Sequence, residues 1–81
     1  MKTQIVNGCE VTMYAKAGPG RNSPARYVVR LHNAIIGTLE KYRGACPWQA
    51  DDADGRHRGA YYGRNGLECA VASLRAAAAG V

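Results

Sequence analysis

Cys9, Cys46, Cys69, His32, His57 and the acidic run Asp51, Asp52 and Asp54 are the side chains of this sequence that could hold a metal or support a nucleophile. Structural zinc sites rest on closely spaced pairs such as Cys-x-x-Cys, and no such pair occurs here. The three thiols read instead as small hydrophobes, so no metal is expected. Cys46, His57 and the nearby aspartates contain the residue types of a thiol triad. A triad also needs an oxyanion hole and a pocket that excludes water, which a short chain with one helix can hardly enclose. No catalytic residue and no cofactor are therefore expected. Asp51-Asp52-Ala53-Asp54-Gly55 lacks the distal glutamate of an EF-hand loop and reads as a solvated turn. Gly18-Pro19-Gly20 lacks the Gly-Lys-Ser/Thr ending of a phosphate-cradling loop.

Electrostatics offers more. Eleven Lys and Arg against six Asp and Glu leave a net charge of +5, which favours an anionic partner but also keeps a small protein dispersed. Arginine supplies most of the cations, and its planar fork suits a bidentate grip on phosphate or carboxylate. Arg26 and Arg30 alternate along one strand-like segment, and Arg56 and Arg58 along another with His57 opposite them. Arg26, Arg30, Arg43, Arg56 and Arg58, with Arg21 and Lys16 from a neighbouring loop, are the expected partner-binding cations. Tyr14 and Tyr62 are expected to interleave with them, since arginine and tyrosine are both favoured at interfaces.

These side chains need a scaffold, and the patterning supplies one. Asn7-Gly8 accepts the positive φ angles of a type I′ turn, predicting a hairpin of about residues 2–6 and 9–15. In its second strand Cys9, Val11 and Met13 share one face, and Glu10, Thr12 and Tyr14 the other. Residues 17–24 form a breaker cluster and a basic loop. Tyr27, Val29 and Leu31 alternate with Arg26, Val28 and Arg30, His32-Asn33 reads as a tight turn, and residues 34–43 return as a strand with Gly37 as a bulge or close-contact point. Two further strands flank Asp54-Gly55, over Trp48 to Ala50 and Arg58 to Tyr62. Asn65 with Glu68 makes a capping-box pattern for a helix whose Leu67, Ala70, Val71, Leu74 and Ala78 should lie on the sheet, ending at Gly80. The expected core is Ile5, Val6, Val11, Met13, Val28, Val29, Leu31, Ile35, Ile36, Leu39, Trp48, Leu67, Val71 and Leu74. The fold class is α+β: one domain over residues 1–81, with an antiparallel sheet of four to six strands and one C-terminal helix packed across it.

An odd number of cysteines and an N-terminus without the apolar core of a secretion signal point to a reducing compartment, the cytoplasm of a host bacterial cell. No apolar run is long enough for a membrane helix. A monomer or weak homodimer is expected.

From Tyr42 onward the chain resembles the sheet-then-helix part of plant AP2 and phage-integrase arm-type DNA-binding domains. The resemblance is carried by Tyr42-Arg43-Gly44, Trp48-Gln49-Ala50, Asp54-Gly55-Arg56, Gly59, Tyr61-Tyr62 and the helical Ala70 and Leu74. It implies a three-stranded sheet entering duplex DNA, with Arg43, Arg56 and Arg58 as base or phosphate contacts. Asp51-Asp52 departs from it by placing like charge where DNA would lie. As a small, charged, site-free chain it is similar in kind to the anti-CRISPR proteins of phages and mobile elements. That likeness implies a non-enzymatic inhibitor that occludes the DNA-binding or recruitment surface of a Cascade-like CRISPR effector complex, with DNA binding as the alternative.

Overall fold

The computed structural model describes residues 3–20, 23–44 and 46–80. Six strands, β1 (Thr3–Val6), β2 (Cys9–Ala15), β3 (Ala25–Leu31), β4 (Ala34–Lys41), β5 (Trp48–Asp52) and β6 (His57–Tyr61), precede one helix, α1 (Gly66–Ala78). The strands pair antiparallel in chain order, β1 to β6. The α+β class, an antiparallel sheet with one C-terminal helix packed on it, is therefore as expected.

Local chemistry sets the meander. Asn7 and Gly8 sit at φ 50° and 78°, and His32 and Asn33 at 52° and 66°. Two consecutive left-handed residues make the type I′ turn, whose twist matches that of the strands it joins. The helix touches β4, β5 and β6 and, at the other edge of the sheet, β1. The sheet therefore curls around α1, with a concave face against the helix and a convex face away from it.

Cys9, Val11, Val29, Leu39 and Ala50 on the sheet, and Ala70, Val71 and Leu74 on the helix, are fully buried. Each buried valine or leucine contributes about 1.5–3 kcal/mol relative to exposure. Tyr27 and Trp48 extend this core, their rings 5.1 Å apart and tilted by 53°. Close approach of helix and sheet depends on two glycines. A Cβ at Gly37 would lie 2.5 Å from the Asp51 carbonyl oxygen and 2.8 Å from both Leu74 methyl groups. A Cβ at Gly66 would lie 2.6 Å from the Tyr61 carbonyl oxygen and 2.9 Å from the Trp48 ring.

Several expectations are corrected. Ile5 and Ile35 are 68% and 52% exposed rather than in the core, and Val28 is half-buried on the convex face. Arg30 pairs with Ile35 while Val29 pairs with Gly37, so Ile36 is the extra residue of a bulge. That bulge turns Ile36 and Gly37 both inward and sends Ile35 out. The last strand begins at His57, and β4 ends at Lys41, short of Arg43. The capping box does not form: Asn65, at φ −99° and ψ 14°, makes no side-chain cap hydrogen bond. Its backbone is outside the extended region that aims a capping side chain at the first turn. The expected end at Gly80 is realised, with φ 77° and its N–H donating to the Ala77 carbonyl. Ala78 is exposed, and Ala77 takes the half-buried position. No helix among the described residues is long and apolar enough to cross a membrane.

Replacing Gly37 with Ala forces a methyl group against backbone as well as Leu74, so the strand must shift. Urea unfolding of Gly37→Ala should show a loss of about 1–3 kcal/mol, the usual cost of overpacking. A variant as stable as the parent would mean that the helix does not sit this close.

Candidate partner-binding surface

Strand register arranges the convex face in rows. One row runs Thr3, Thr12, Val28, Thr38, Asp51 and His57 across all six strands, a width of about 24 Å at the usual strand spacing. A second runs Ile5, Glu10, Arg30 and Ile35, and a third runs Arg26, Glu40, Gln49 and Ala60. The polar groups are cross-linked along the rows. The Thr3 and Thr12 hydroxyls are 2.8 Å apart, an Arg26 guanidinium nitrogen lies 3.4 Å from the Glu40 carboxylate, and His57 Nδ1 lies 3.2 Å from the Asp51 carboxylate. The Arg26–Glu40 pair is half open to solvent, so it contributes about 0.2–1 kcal/mol and mainly orients the two side chains. This face thus presents two arginines against three carboxylates, interspersed with threonine, valine and exposed isoleucine.

The expected cations do not form one patch. Arg26 and Arg30 project from the convex face, as their alternation implies. Arg58 does not join them. Asp51 pairs with His57 while Ala50 pairs with Gly59, so Arg58 is a bulge residue, and its Nε donates to the Asp52 carboxylate at 2.8 Å on the helix side. Arg56 lies in the turn before β6, exposed. Arg43 lies beyond β4, where its guanidinium donates to the Gly18 carbonyl at 2.7 Å. Lys16 is exposed just after β2, and Arg21 lies outside the described residues. Tyr14, 50% exposed, occupies the bulge between Met13 and Ala15, and Tyr62, 71% exposed, follows β6. Lys16, Arg43, Arg64, Tyr14 and Tyr62 gather at the end of the sheet where β2, β4 and β6 finish. Arg30, Arg56 and Arg58 lie at the opposite end.

Asp52 is the polar anchor of the β5–β6 turn. One carboxylate oxygen accepts the backbone N–H groups of Asp54 and Arg56, at 2.9 and 3.0 Å, and the other accepts from Arg58. The Arg56 N–H contributes most to holding its carboxyl below the ordinary value, with Arg58 and the Asp54 N–H adding to it; burial opposes them. Cys9 is fully buried, and burial pushes its thiol up, partly offset by Arg75. Cys46 and Cys69 are exposed. Cys46 precedes the start of β5 and His57 begins β6, so the hairpin holds them at opposite ends. No cluster of three or more His, Cys, Asp or Glu with metal-binding geometry occurs among the described residues.

Sequence reasoning missed Glu10 and Glu40 as the cross-strand partners of Arg30 and Arg26, and the Asp51–His57 pair further along the same face. Strand parity places Glu10 and Arg30 each on an outward face, but their juxtaposition depends on the β2–β3 register, which spans the long connection between Ala15 and Ala25 and which no tight turn fixes.

The depressed carboxyl of Asp52 ties stability to pH. Its contribution is present above the unfolded value, about 3.9, and is lost as pH falls through the lower folded value. Thermal unfolding followed from neutral pH to about pH 2 should show a smaller acid loss for Asp52→Asn than for the parent. The variant should also be less stable at neutrality. Parallel curves would remove Asp52 from this role.

No protein-family model, no curated protein and no solved structure matches the chain.

Proposed function

We propose that this protein is a non-enzymatic binding module that docks by the convex face of its sheet on another protein and obstructs it. The observation that carries this reading is the make-up of that face: Arg26 and Arg30 alternate with Glu10, Glu40 and Asp51 around Thr12, Val28, Thr38 and Ile35. Interspersed charges of both signs around half-buried apolar groups suit a protein surface, where complementary pairing sets register and specificity. They suit a duplex poorly, because DNA presents a negative charge about every 1.7 Å. The class of partner, a Cascade-like CRISPR effector complex, comes from the likeness in kind to anti-CRISPR proteins: a short, charged, single-domain chain that works by occupying a surface.

One arrangement favours duplex DNA as a second reading. Lys16, Arg43 and Arg64 stand exposed with Tyr14 and Tyr62 at one end of the sheet, and the Arg43 bond to Gly18 ties two of the loops there. A backbone-gripping contact could form on that end rather than on the sheet face expected from the AP2-type resemblance.

The two readings separate in one titration. The chain is added to a guide-loaded effector complex and its target duplex, and in parallel to the duplex alone. Occlusion predicts loss of target binding by the effector and no retardation of the free duplex. It also predicts an effect weakened by about tenfold or more in Arg26→Ala/Arg30→Ala, as for truncated interfacial charges, with the far-UV circular dichroism spectrum unchanged. Retardation of the free duplex, weakening steeply with salt and lost in Lys16→Ala/Arg43→Ala/Arg64→Ala, would overturn occlusion and support the second reading.

A further inference from the structure

The two edges of the sheet are built differently. β6 carries His57 and the bulged Arg58, then Gly59 at φ 132°. Charged side chains and bulges are among the devices that stop an edge from pairing with another strand. β1 has none of them. Thr3-Gln4-Ile5-Val6 contains no charge, no proline and no bulge, its first three residues are exposed, and Ile5 is 68% exposed.

The hydrogen-bonding directions follow from the turn. In a two-residue hairpin the residues flanking the turn, here Val6 and Cys9, exchange both backbone bonds. Alternation gives Gln4 and Val11 the same arrangement, so the N–H and C=O groups of Thr3 and Ile5 point away from β2. Among the described residues no strand lies on that side.

We propose that β1 pairs antiparallel with β1 of a second copy of this chain, about a two-fold axis passing beside Gln4, joining two sheets into one. Self-complementarity selects this partner and this register. A two-fold pairing keeps convex side chains on one face only when each residue meets a residue of the same parity. Centring on Gln4 sets Thr3 opposite Ile5 of the second copy, and Ile5 opposite its Thr3, so all the outward N–H and C=O groups of both residues are bonded. Centring on Ile5 would bond only Ile5 to itself and send Thr3 toward Asn7 in the turn. With the Gln4 centre, Glu10 of each copy lies in the row of Thr3 and Thr12 of the other, so no like charges meet across the seam. On the concave side a hollow of about 370 Å³, lined by Thr3, Gln4, Met13 and Tyr27, leaves room for the two glutamine side chains. The seam is short, so the dimer is weak and forms at high concentration.

Sedimentation equilibrium across a wide concentration range should give a mass rising toward twice that of the chain. Ile5→Lys, which charges the edge without touching the β1–β2 bonds, should hold it at the monomer. Cross-linking fixes the register. In a background of Cys46→Ser and Cys69→Ser, Gln4→Cys faces its own copy in a non-hydrogen-bonded pair, about 4.5 Å between Cα atoms, within disulfide range. It should oxidise to a covalent dimer in high yield, and Ile5→Cys in the same background should not. A monomer at every concentration, a dimer unaffected by Ile5→Lys, or equal cross-linking at positions 4 and 5 would each overturn the proposal.

Discussion

The structure depends on how closely one helix can approach one sheet. Leu74 lies over Gly37, and Trp48 lies against Gly66, in contacts that a single added carbon would break. A chain of this length buries a limited fraction of its surface, so an ill-fitting helix would leave too little apolar contact to hold the fold. Small residues along α1, with Val71 and Leu74 as its fully buried bulky pair and Leu67 packed beside them, let it settle into the concavity while β1 to β6 curl around it. The Asn7 side chain donates to the Glu68 carbonyl, and Arg75 donates back to the Asn7 carbonyl. These bonds fasten the first turn of the sheet to the helix that completes it.

That arrangement determines where function can sit. With most of the concave face given over to the helix, the convex face, the sheet ends, the two edges and the outer side of α1, where Glu68, Ala72 and Arg75 are exposed, are the surfaces left for a partner. The convex face is organised by register rather than by a concentrated charge: each row carries side chains from several strands, and its ion pairs run between adjacent strands. Such a surface is fixed in geometry, because its members stand on paired strands and not on loops. The basic residues that raise the net charge lie mostly elsewhere, at the two ends of the sheet.

Much of this was legible in the sequence, and several of the failures share one cause. Asn7-Gly8, His32-Asn33 and Asp54-Gly55 mark their turns because few residues accept a left-handed backbone, and alternation between them gives strands and faces. Gly37 was legible as a close-contact point for a different reason, since a glycine inside a strand marks a bulge or a close approach. What alternation cannot register is a bulge. The extra residues at Tyr14, Ile36 and Arg58 each reset the parity of the strand around them. Ile35 therefore left the expected core, and Arg58 left the expected patch for Asp52. The capping box failed similarly: Asn65 and Glu68 have the right spacing, but the backbone entering α1 is set by the Gly63 turn, whose carbonyl accepts from the Gly66 N–H. Bulges and entry angles are tertiary outcomes, set by what the helix must touch.

The central claim is that the convex face is the docking surface, and methyl cross-saturation of the chain bound to a CRISPR effector tests it most directly. Backbone amides in the paired strands are protected before any partner arrives, so methyl groups give the cleaner footprint. Saturation transferred from the effector should fall on Thr12, Val28, Thr38 and Ile35 and spare Val71 and Leu74 on the buried side of the helix. Saturation confined to the loops around Lys16, Arg43 and Arg64, or none at all, would contradict the account.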